Sequence, residues 1–208
     1  FEPILMTVDT RSQNKQPITG SPTLSSASIT YGERISGIKL SGTMSDGSYP
    51  VTGTFCWDAP DTVPTAVGTY EAAWTFTPDS YLHETAKGTA AITVERRPVT
   101  VDGIRGKDRI YDGTKNVDLD YSKVKWKNKL DGDELTITAD GEMDANYPGT
   151  RRVFLSNLTL GGLDADKYVL APECQKMETT ADISPRVVTV SGITAQDKVY
   201  DGSVEAVL

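Results

Sequence analysis

Clustered carboxylates are the side chains of this 208-residue chain that come closest to a recognisable chemical site. Three acidic clusters lie in its second half: Asp131/Asp133/Glu134, Asp140/Glu142/Asp144 and Asp164/Asp166. Calcium ions need several carboxylate oxygens at short spacing, so these clusters raise a calcium-binding hypothesis. None of them follows the spacing of a complete calcium-binding loop, and acidic residues are common in exposed hairpin turns. The sequence therefore predicts turn residues here, with no metal site and no cofactor.

The single histidine, His83, limits the catalytic chemistry that we expect from the chain. A Ser-His-Asp triad needs a histidine beside its nucleophile, and a multi-histidine metal site needs more than one. The surrounding sequence, Ser80-Tyr81-Leu82-His83-Glu84, is typical of a turn. We expect His83 to be a turn residue, and we predict no catalytic residue and no enzymatic activity.

A row of lysines alternates with apolar residues over positions 123–130. Four lysines share one face of a predicted strand, opposite Val124, Trp126 and Leu130: Lys123, Lys125, Lys127 and Lys129. Lysines on an edge strand usually prevent edge-to-edge aggregation of sheets. The same row could instead bind an anionic glycan or a wall polymer. The sequence favours the first interpretation and leaves the second open.

Two tryptophans, Trp57 and Trp74, could stack on sugar rings in a carbohydrate-binding module. In the period of a β-strand, however, they share faces with Phe55 and Phe76. Aromatic residues gathered on one strand face are typical of a core. We therefore predict that Trp57, Trp74 and Trp126 are mostly buried.

Covalent staples are not expected in this chain. Cys56 and Cys174 lie one in each predicted domain, so neither domain can form a disulfide of its own, and both cysteines are predicted to be unpaired. Lys–Asn isopeptide bonds stiffen some β-domains and need a carboxylate beside the bond. All three residue types are present, but the sequence does not show their geometry. We predict a chain without such a bond.

The balance of charge and apolar residues excludes broad classes of partner. Lys and Arg number 21 against 29 Asp and Glu, which gives a net charge of −8. No predicted domain is net basic, so we expect no nucleic-acid partner. The apolar runs are only a few residues long, so we expect no insertion into a membrane.

Alternation of apolar and polar residues dominates the chain, and no window of about 11 residues carries a helical stripe. Predicted strands are separated by turns rich in Asp, Gly, Pro and Ser. They lie near residues 51–57, 70–76, 90–94, 123–130, 135–139, 153–160, 168–170 and 180–183. This pattern predicts an all-β chain of tandem immunoglobulin-like antiparallel β-sandwich domains.

A segment of the chain recurs further along it. Residues 97–114 read RPVTVDGIRGKDRIYDGT, and residues 186–203 read RVVTVSGITAQDKVYDGS. A period of about 90 residues is too long for a solenoid and suits sandwich domains of about 100 residues. The predicted organisation has four parts: 1–23, a tail or the last strand of a preceding module; 24–95 and 96–185, two β-sandwich modules; and 186–208, the truncated start of a further module.

The repeated segment resembles the opening of the YDG repeat of large bacterial surface proteins, named for its Tyr-Asp-Gly, here Tyr111-Asp112-Gly113. The resemblance covers most of residues 97–185 and continues through residues 132–136, 158–160 and 166–170. The first domain is similar to a related immunoglobulin-like surface repeat, in residues 29–32, 53–57, 68–70 and 76–79. It departs from that pattern at Cys56, where a small residue such as Ala is expected. The resemblance implies tandem β-rich modules on cell-surface or secreted bacterial proteins, often adhesins, and no catalytic residue.

The chemistry of the Tyr-Asp-Gly motif itself points to a structural turn. Tyr111 and its repeat Tyr200 can each bury a ring while the hydroxyl finds a backbone partner, and we expect Tyr111 to be mostly buried. Tyr200 lies in a segment without the later strands of its module, and we expect that segment to be mobile or to borrow a sheet edge. Asp112 is expected to cap nearby amides, and Gly113 to take a positive φ angle.

Together these features predict a monomeric, extracellular fragment of a modular protein at the bacterial cell surface or cell wall. Its function would be structural and adhesive, as a stalk or as a weak multivalent binder of a host or wall glycan or protein. The predicted junctions hold only three or four residues and contain proline, which makes them stiff. The alternatives are a carbohydrate-binding module and an accessory region of a secreted glycan-active enzyme.

Overall fold

The computed structural model describes residues 15–205. Residues 1–14, which hold most of the predicted tail at 1–23, and residues 206–208 of the predicted partial module lie outside the described residues. The described chain consists of β-strands and three short 3-10 helices, and it has no α-helix. The prediction of an all-β protein is confirmed. Its finer form, tandem immunoglobulin-like sandwiches, stays a prediction.

The first half of the described chain contains eight strands: β1 (Thr23–Leu24), β2 (Ser28–Thr30), β3 (Leu40–Ser41), β4 (Met44–Ser45), β5 (Pro50–Val51), β6 (Gly53–Trp57), β7 (Gly68–Pro78) and β8 (Ala86–Glu95). Four of them form one sheet in the order β2-β8-β7-β6. Two smaller sheets pair β1 with β3 and β4 with β5. One 3-10 helix, Ile35–Gly37, follows β2.

Alternation decides which side chains of this sheet are buried. Strands β6 and β7 are antiparallel and pair Phe55 with Phe76 and Trp57 with Trp74. All four aromatic side chains are buried, whereas Cys56 on the opposite face of β6 is exposed. The predicted core positions of Trp57 and Trp74 are therefore confirmed.

Residues 15–23 pack with the first module, although the sequence assigned them to the tail. The Gln16 backbone bridges to His83 in parallel, and the Thr19 backbone bridges to Ser45 in antiparallel. Ile18, between them, is buried in the core. These two bridges and the buried Ile18 side chain join the segment to the first module, and the division of the chain into a tail and modules stays a prediction.

The second half contains ten strands: β9 (Arg97–Asp102), β10 (Arg105–Gly106), β11 (Arg109–Ile110), β12 (Asn116–Val117), β13 (Leu119–Asp120), β14 (Lys125–Lys127), β15 (Thr136–Met143), β16 (Gly149–Gly161), β17 (Tyr168–Leu170) and β18 (Glu178–Ser184). They form sheets in the orders β11-β18-β16-β15-β12, β14-β9-β17 and β10-β13. Two 3-10 helices flank β17, at Ala165–Lys167 and Pro172–Lys176.

The chain divides into two compact units that are interleaved in sequence. Unit 1 holds the described residues up to Asp102 together with Lys125–Thr138 and Thr159–Cys174. Unit 2 holds Gly103–Val124, Ala139–Leu158 and the described residues from Gln175 onward.

Each unit has its own buried apolar side chains. The core of unit 1 is formed mostly by residues 18–94, and it also includes Val99 and Tyr168. Packing in this unit therefore does not stop at the predicted module boundary between residues 95 and 96. The buried side chains of unit 2 come from all three of its segments. They are Ile104, Val117, Leu119, Met143, Val153, Leu155, Ala181 and Ile183.

Both modules close their main sheet with a short parallel pairing. In the first module β2 runs parallel to the end of β8, and in the second β11 runs parallel to the end of β18. These short parallel pairings are an addition to the predicted antiparallel arrangement, which the longer strands β6, β7 and β8 follow. Alternation along a strand reports which face a side chain occupies, not the direction of the neighbouring strand, so pairings of two or three residues gave no signal.

Residues 186–205 form no strand and are exposed. Val188 and Ile193 are exposed here, whereas their counterparts in the first copy, Val99 and Ile104, are buried. The repeated sequence is therefore not sufficient to form β9, which is paired on both sides, with β14 and with β17.

Candidate functional site

The Tyr-Asp-Gly motif forms a tight turn directly after β11. The Asp112 carboxylate accepts hydrogen bonds from the Thr114 amide at 2.8 Å and from the Thr114 hydroxyl at 2.9 Å. These bonds, the amide first, lower the pKa of Asp112. Gly113 has a φ angle of +85°, which glycine adopts without strain. The turn roles predicted for Asp112 and Gly113 are confirmed.

Arg109 is a further member of this turn that the sequence analysis missed. Its guanidinium donates to Asp112 Oδ1 at 2.5 Å and to the Thr114 carbonyl at 2.6 Å. The internal repeat indicates a role for this cation, because Lys198 stands at the equivalent position and also has a long cationic side chain. A single basic residue without that comparison gives no indication of its role.

The same turn recurs in the exposed second copy. Lys198 Nζ donates to Asp201 Oδ1 at 3.0 Å and to the Ser203 carbonyl at 3.1 Å. The Ser203 amide donates to Asp201 Oδ1 at 2.9 Å, and Gly202 has a φ angle of +81°. Because no strand surrounds this copy, residues 198–203 encode the turn locally.

The tyrosine of the motif does not behave as predicted. Tyr111 is 37% exposed, so the prediction that its ring is mostly buried is wrong. Tyr200 is 92% exposed, in the segment that was expected to lack the rest of its core. A tyrosine ring is buried only where another element covers it, and the motif itself does not supply that element.

Tyr31, at the end of β2, is the structural counterpart of Tyr111, and it is only 7% exposed. The Tyr31 N–H donates to the Glu95 carbonyl at 2.9 Å, as the Tyr111 N–H donates to the Ser184 carbonyl at 2.9 Å. We define the junction cluster as Tyr31 together with the residues of unit 1 around its side chain and backbone. These residues are Arg97, Asn128, Leu130, Asp133, Asp164, Lys167 and Tyr168.

Two tyrosines form the centre of the junction cluster. The rings of Tyr31 and Tyr168 meet edge to face, with centroids 5.7 Å apart. The Tyr168 hydroxyl accepts from the Leu130 amide at 3.0 Å and donates to Asp133 Oδ2 at 2.5 Å. Burial, and then the Asp133 carboxylate, raise the pKa of Tyr168 to about 12. Burial also raises the pKa of Tyr31.

An ion pair closes one side of the junction cluster. Lys167 Nζ donates to Asp164 Oδ1 at 2.7 Å and lies 5.3 Å from the centroid of the Tyr31 ring. The Asp164 hydrogen bond raises the pKa of Lys167 well above its ordinary value. The same bond, followed by one from the Glu134 amide, lowers the pKa of Asp164. Lys167 therefore stays cationic beside the aromatic ring.

Arg97 links the backbone of the two sides of the junction cluster. Its Nε donates to the Asn128 carbonyl at 2.7 Å, and one terminal nitrogen donates to the Tyr31 carbonyl at 3.2 Å. Gly32 permits close packing here, because a Cβ at that position would lie 2.5 Å from Leu130 Cδ1. The cluster is thus an arrangement of packed rings, hydrogen bonds and one ion pair.

His83 lies beside one carboxylate of the first module, that of Asp46. Its Nε2 lies 3.6 Å from Asp46 Oδ2, and its amide donates to the Ser80 carbonyl at 3.3 Å. The pKa of Asp46 is lowered, first by the Tyr49 amide and then by the Ser48 amide. These contacts place His83 beside the turn at Ser80, with an aspartate as its neighbour.

The acidic residues that suggested calcium binding serve different partners. Asp133 binds Tyr168, Asp164 binds Lys167, and Asp140 accepts from the Asn157 side-chain amide at 2.8 Å. Among residues 15–205, no group of three or more His, Cys, Asp or Glu side chains is placed to hold a metal ion. Asp133, Asp140 and Asp164 therefore make local structural contacts.

Two lysines of the predicted row, Lys125 and Lys127, lie on an edge strand, whereas Lys123 and Lys129 lie outside it. Strand β14 is at the edge of the β14-β9-β17 sheet, with Lys125 and Lys127 exposed and Trp126 half-buried against the core of unit 1. Lys129 instead turns to the main chain and donates to the Asp133 carbonyl at 2.6 Å. This placement supports the protective role of lysines on a sheet edge.

The aromatic and thiol side chains singled out from the sequence are mostly internal. The Trp57 indole N–H donates to the Ile38 carbonyl at 2.8 Å. Both Trp57 and Trp74 are buried, so neither indole is exposed to stack on a sugar ring. Cys56 and Cys174 are both free, as predicted, and Cys174 is buried.

Unit 2 has open clefts lined by polar and charged residues. Two of them, about 680 and 690 Å³ in volume, share Lys107 in their lining. Asp108 and Asp120 line the first, and Asp140 and Glu142 line the second. Mixed charges on an open surface can bind solvent and ions weakly, and they do not form the apolar, enclosed wall that is typical of a small-molecule site.

The comparisons with known proteins agree with the motif in the second half of the chain. Within residues 15–205, no helix is long and apolar enough to cross a membrane. A search of curated proteins gave no match to the chain. The family model of the YDG domain matches residues 95–176, so this part of the chain is a YDG-type domain.

Proposed function

We propose that the chain is a non-catalytic structural part of a modular, extracellular bacterial surface protein, in which it acts as a load-bearing spacer. The observation that carries the proposal is the junction cluster. It fastens residues of the YDG-type domain to Tyr31 of the preceding module by ring packing, hydrogen bonds and an ion pair.

The covalent connection supports the same function. Strand β8 ends at Glu95 and β9 begins at Arg97, so only Arg96 separates them. A flexible linker is usually longer and rich in Gly or Ser. A one-residue connection, reinforced by the junction cluster, allows little independent movement and is suited to transmit force.

Bacterial origin, surface location and a stalk or adhesive role rest on the resemblance to YDG repeats. The YDG match over residues 95–176 supports that resemblance. Several weak contacts from repeated modules could add adhesion through avidity, with a host or wall glycan or protein as the partner.

Single-molecule pulling on the two ends of the chain tests the load-bearing function. We expect unit 1 to unfold as one event, and we expect the variant Tyr31→Ala to unfold at lower force than the variant Tyr81→Ala. Tyr81 is the matched control, since it is a 75% exposed tyrosine of the same unit. Release of residues 125–138 before the first module unfolds would refute the proposal.

A glycan array tests the carbohydrate-binding alternative. That alternative depended on Trp57 and Trp74, which are buried. The exposed tyrosines Tyr49, Tyr81 and Tyr147 are the side chains to substitute instead. Saturable glycan binding that disappears in Tyr49→Ala or Tyr81→Ala, with no loss of stability, would favour a binding module over a spacer.

A further inference from the structure

We infer that the exposed end of the second module, at Ile110 and Tyr111, is a docking surface for a further module of the same YDG type. The proposed occupant is the pair of segments in that further module equivalent to Lys125–Thr138 and Thr159–Cys174. The inference concerns assembly between modules, and it stands whether or not the assembly bears load.

The backbone of the surface is equivalent in the two modules. Tyr31 follows a strand that runs parallel to the end of β8, and its N–H donates to Glu95. Tyr111 follows a strand that runs parallel to the end of β18, and its N–H donates to Ser184 at the same 2.9 Å. Both tyrosines therefore occupy the same position relative to the last strand of their own module.

The two surfaces differ in what covers them. Tyr31 is covered by Tyr168 and Lys167, and Gly32 beside it lies under Leu130. All three covering residues belong to the YDG-type domain that follows. Tyr111 is 37% exposed and Ile110 is 64% exposed, whereas Thr30, the counterpart of Ile110, is half-buried.

The sequence after the second module carries the matching link. Arg97 lies two positions after Glu95 and joins the Tyr31 carbonyl to the Asn128 carbonyl. Arg186 lies two positions after Ser184 and opens the repeated segment in the same way. In the assembled state we expect Arg186 to join the Tyr111 carbonyl to the counterpart of the Asn128 carbonyl.

One residue of the two surfaces does not correspond. Asp112 follows Tyr111, whereas Gly32 follows Tyr31 and lies in contact range of Leu130. The Asp112 carboxylate is held by Arg109 and Thr114. We therefore place the equivalent contact on the Tyr111 ring and on its carbonyl, and we assign no leucine contact at Asp112.

Chemical labelling of an extended chain tests the inference. In the extended chain, residues 115–185 follow Ser203 a second time, so that residues 186–203 open a complete module. Tyrosine nitration is then followed by peptide mass spectrometry in both chains. We expect Tyr111 to react in the 208-residue chain and to react at least about tenfold more slowly in the extended one, since only covered rings are protected.

Internal controls are present in the same molecule. Tyr147, which is 58% exposed in unit 2, should react equally in both chains, and buried Tyr31 should be protected in both. In the extended chain, Tyr111→Ala should accelerate hydrogen exchange of the appended segments at least about tenfold, whereas Tyr147→Ala should not. Equal nitration of Tyr111 in both chains would overturn the inference. Failure of the appended segments to gain protected amides would also count against it, because the surface should support them as Tyr31 supports residues 125–138.

Discussion

Replacing Tyr168 by Phe tests the junction cluster at its most buried hydroxyl. Tyr168 is 3% exposed, and its hydroxyl accepts from the Leu130 amide and donates to Asp133. The substitution keeps the ring against Tyr31 and removes only these two hydrogen bonds. It therefore separates the polar part of the junction from its ring packing.

The expected loss of stability follows from the two bonds. A neutral hydrogen bond contributes about 1 kcal/mol, and one to a charged group about 1.5–3 kcal/mol. Asp133 is only partly buried and can regain water, so we discount its share. We expect Tyr168→Phe to lower the free energy of unfolding of unit 1 by about 2 kcal/mol.

Urea denaturation followed by tryptophan fluorescence measures this loss, because all three tryptophans, Trp57, Trp74 and Trp126, lie in unit 1. The variant Tyr81→Phe is the matched control, since it removes a hydroxyl from an exposed tyrosine of the same unit. A loss below about 0.5 kcal/mol in Tyr168→Phe, equal to that of the control, would refute the importance of the buried hydroxyl.

The pH dependence of the free energy of unfolding tests the Tyr168 hydroxyl in a second way. Folding raises the pKa of Tyr168 to about 12 from an ordinary value of 10.0, so the folded state holds this proton more tightly. The associated stability is fully present below pH 10 and is lost as the pH rises toward about 12. The stability advantage of the natural chain over Tyr168→Phe should therefore shrink across that range.

Four further outcomes are expected. Trp74→Ala should cost about 3–5 kcal/mol in urea denaturation, because a 4% exposed indole leaves a cavity; a loss under about 1 kcal/mol would contradict its core position. Asp112→Ala should accelerate amide exchange of Thr114, and the natural turn should weaken in the same way as the pH falls below the ordinary aspartate pKa of 3.8, since its folded pKa is lowered. A chain ending at Pro185 should keep its stability within about 1 kcal/mol, since residues 186–205 are exposed; unfolding of unit 2 would show that they support it. The intact mass should equal that of the uncrosslinked sequence, and a deficit of about 17 Da would reveal an isopeptide bond.

Sequence patterns predicted those parts of the fold that depend on local periodicity. The alternation around Trp57 and Trp74 identified their buried face, because a strand in a one-sided sheet must alternate. Asp112 and Gly113 were assigned to a turn because their side-chain chemistry favours one wherever it occurs. The persistence of the same turn at Asp201 and Gly202 confirms that this information is local.

Contacts between distant segments were not accessible in the same way. Strands β2 and β8 are far apart in the sequence, and only three residue pairs connect them. Tyr31 gave no sign that Tyr168 would cover it, since the two lie in different predicted modules. Residues 125–138 and 159–174 look like parts of a self-contained domain in the sequence, yet they belong to the unit that holds the first module.

The contrast between Tyr31 and Tyr111 shows why the predicted burial of the Tyr-Asp-Gly tyrosine was wrong. Each ring stands at the end of a short strand that is fixed to the last strand of its own module. That backbone geometry determines where the ring is placed, but only Tyr31 has Tyr168 and Lys167 against it. Burial at this position is therefore a property of two consecutive modules, and a prediction made from one module can specify the turn but not the exposure of its tyrosine.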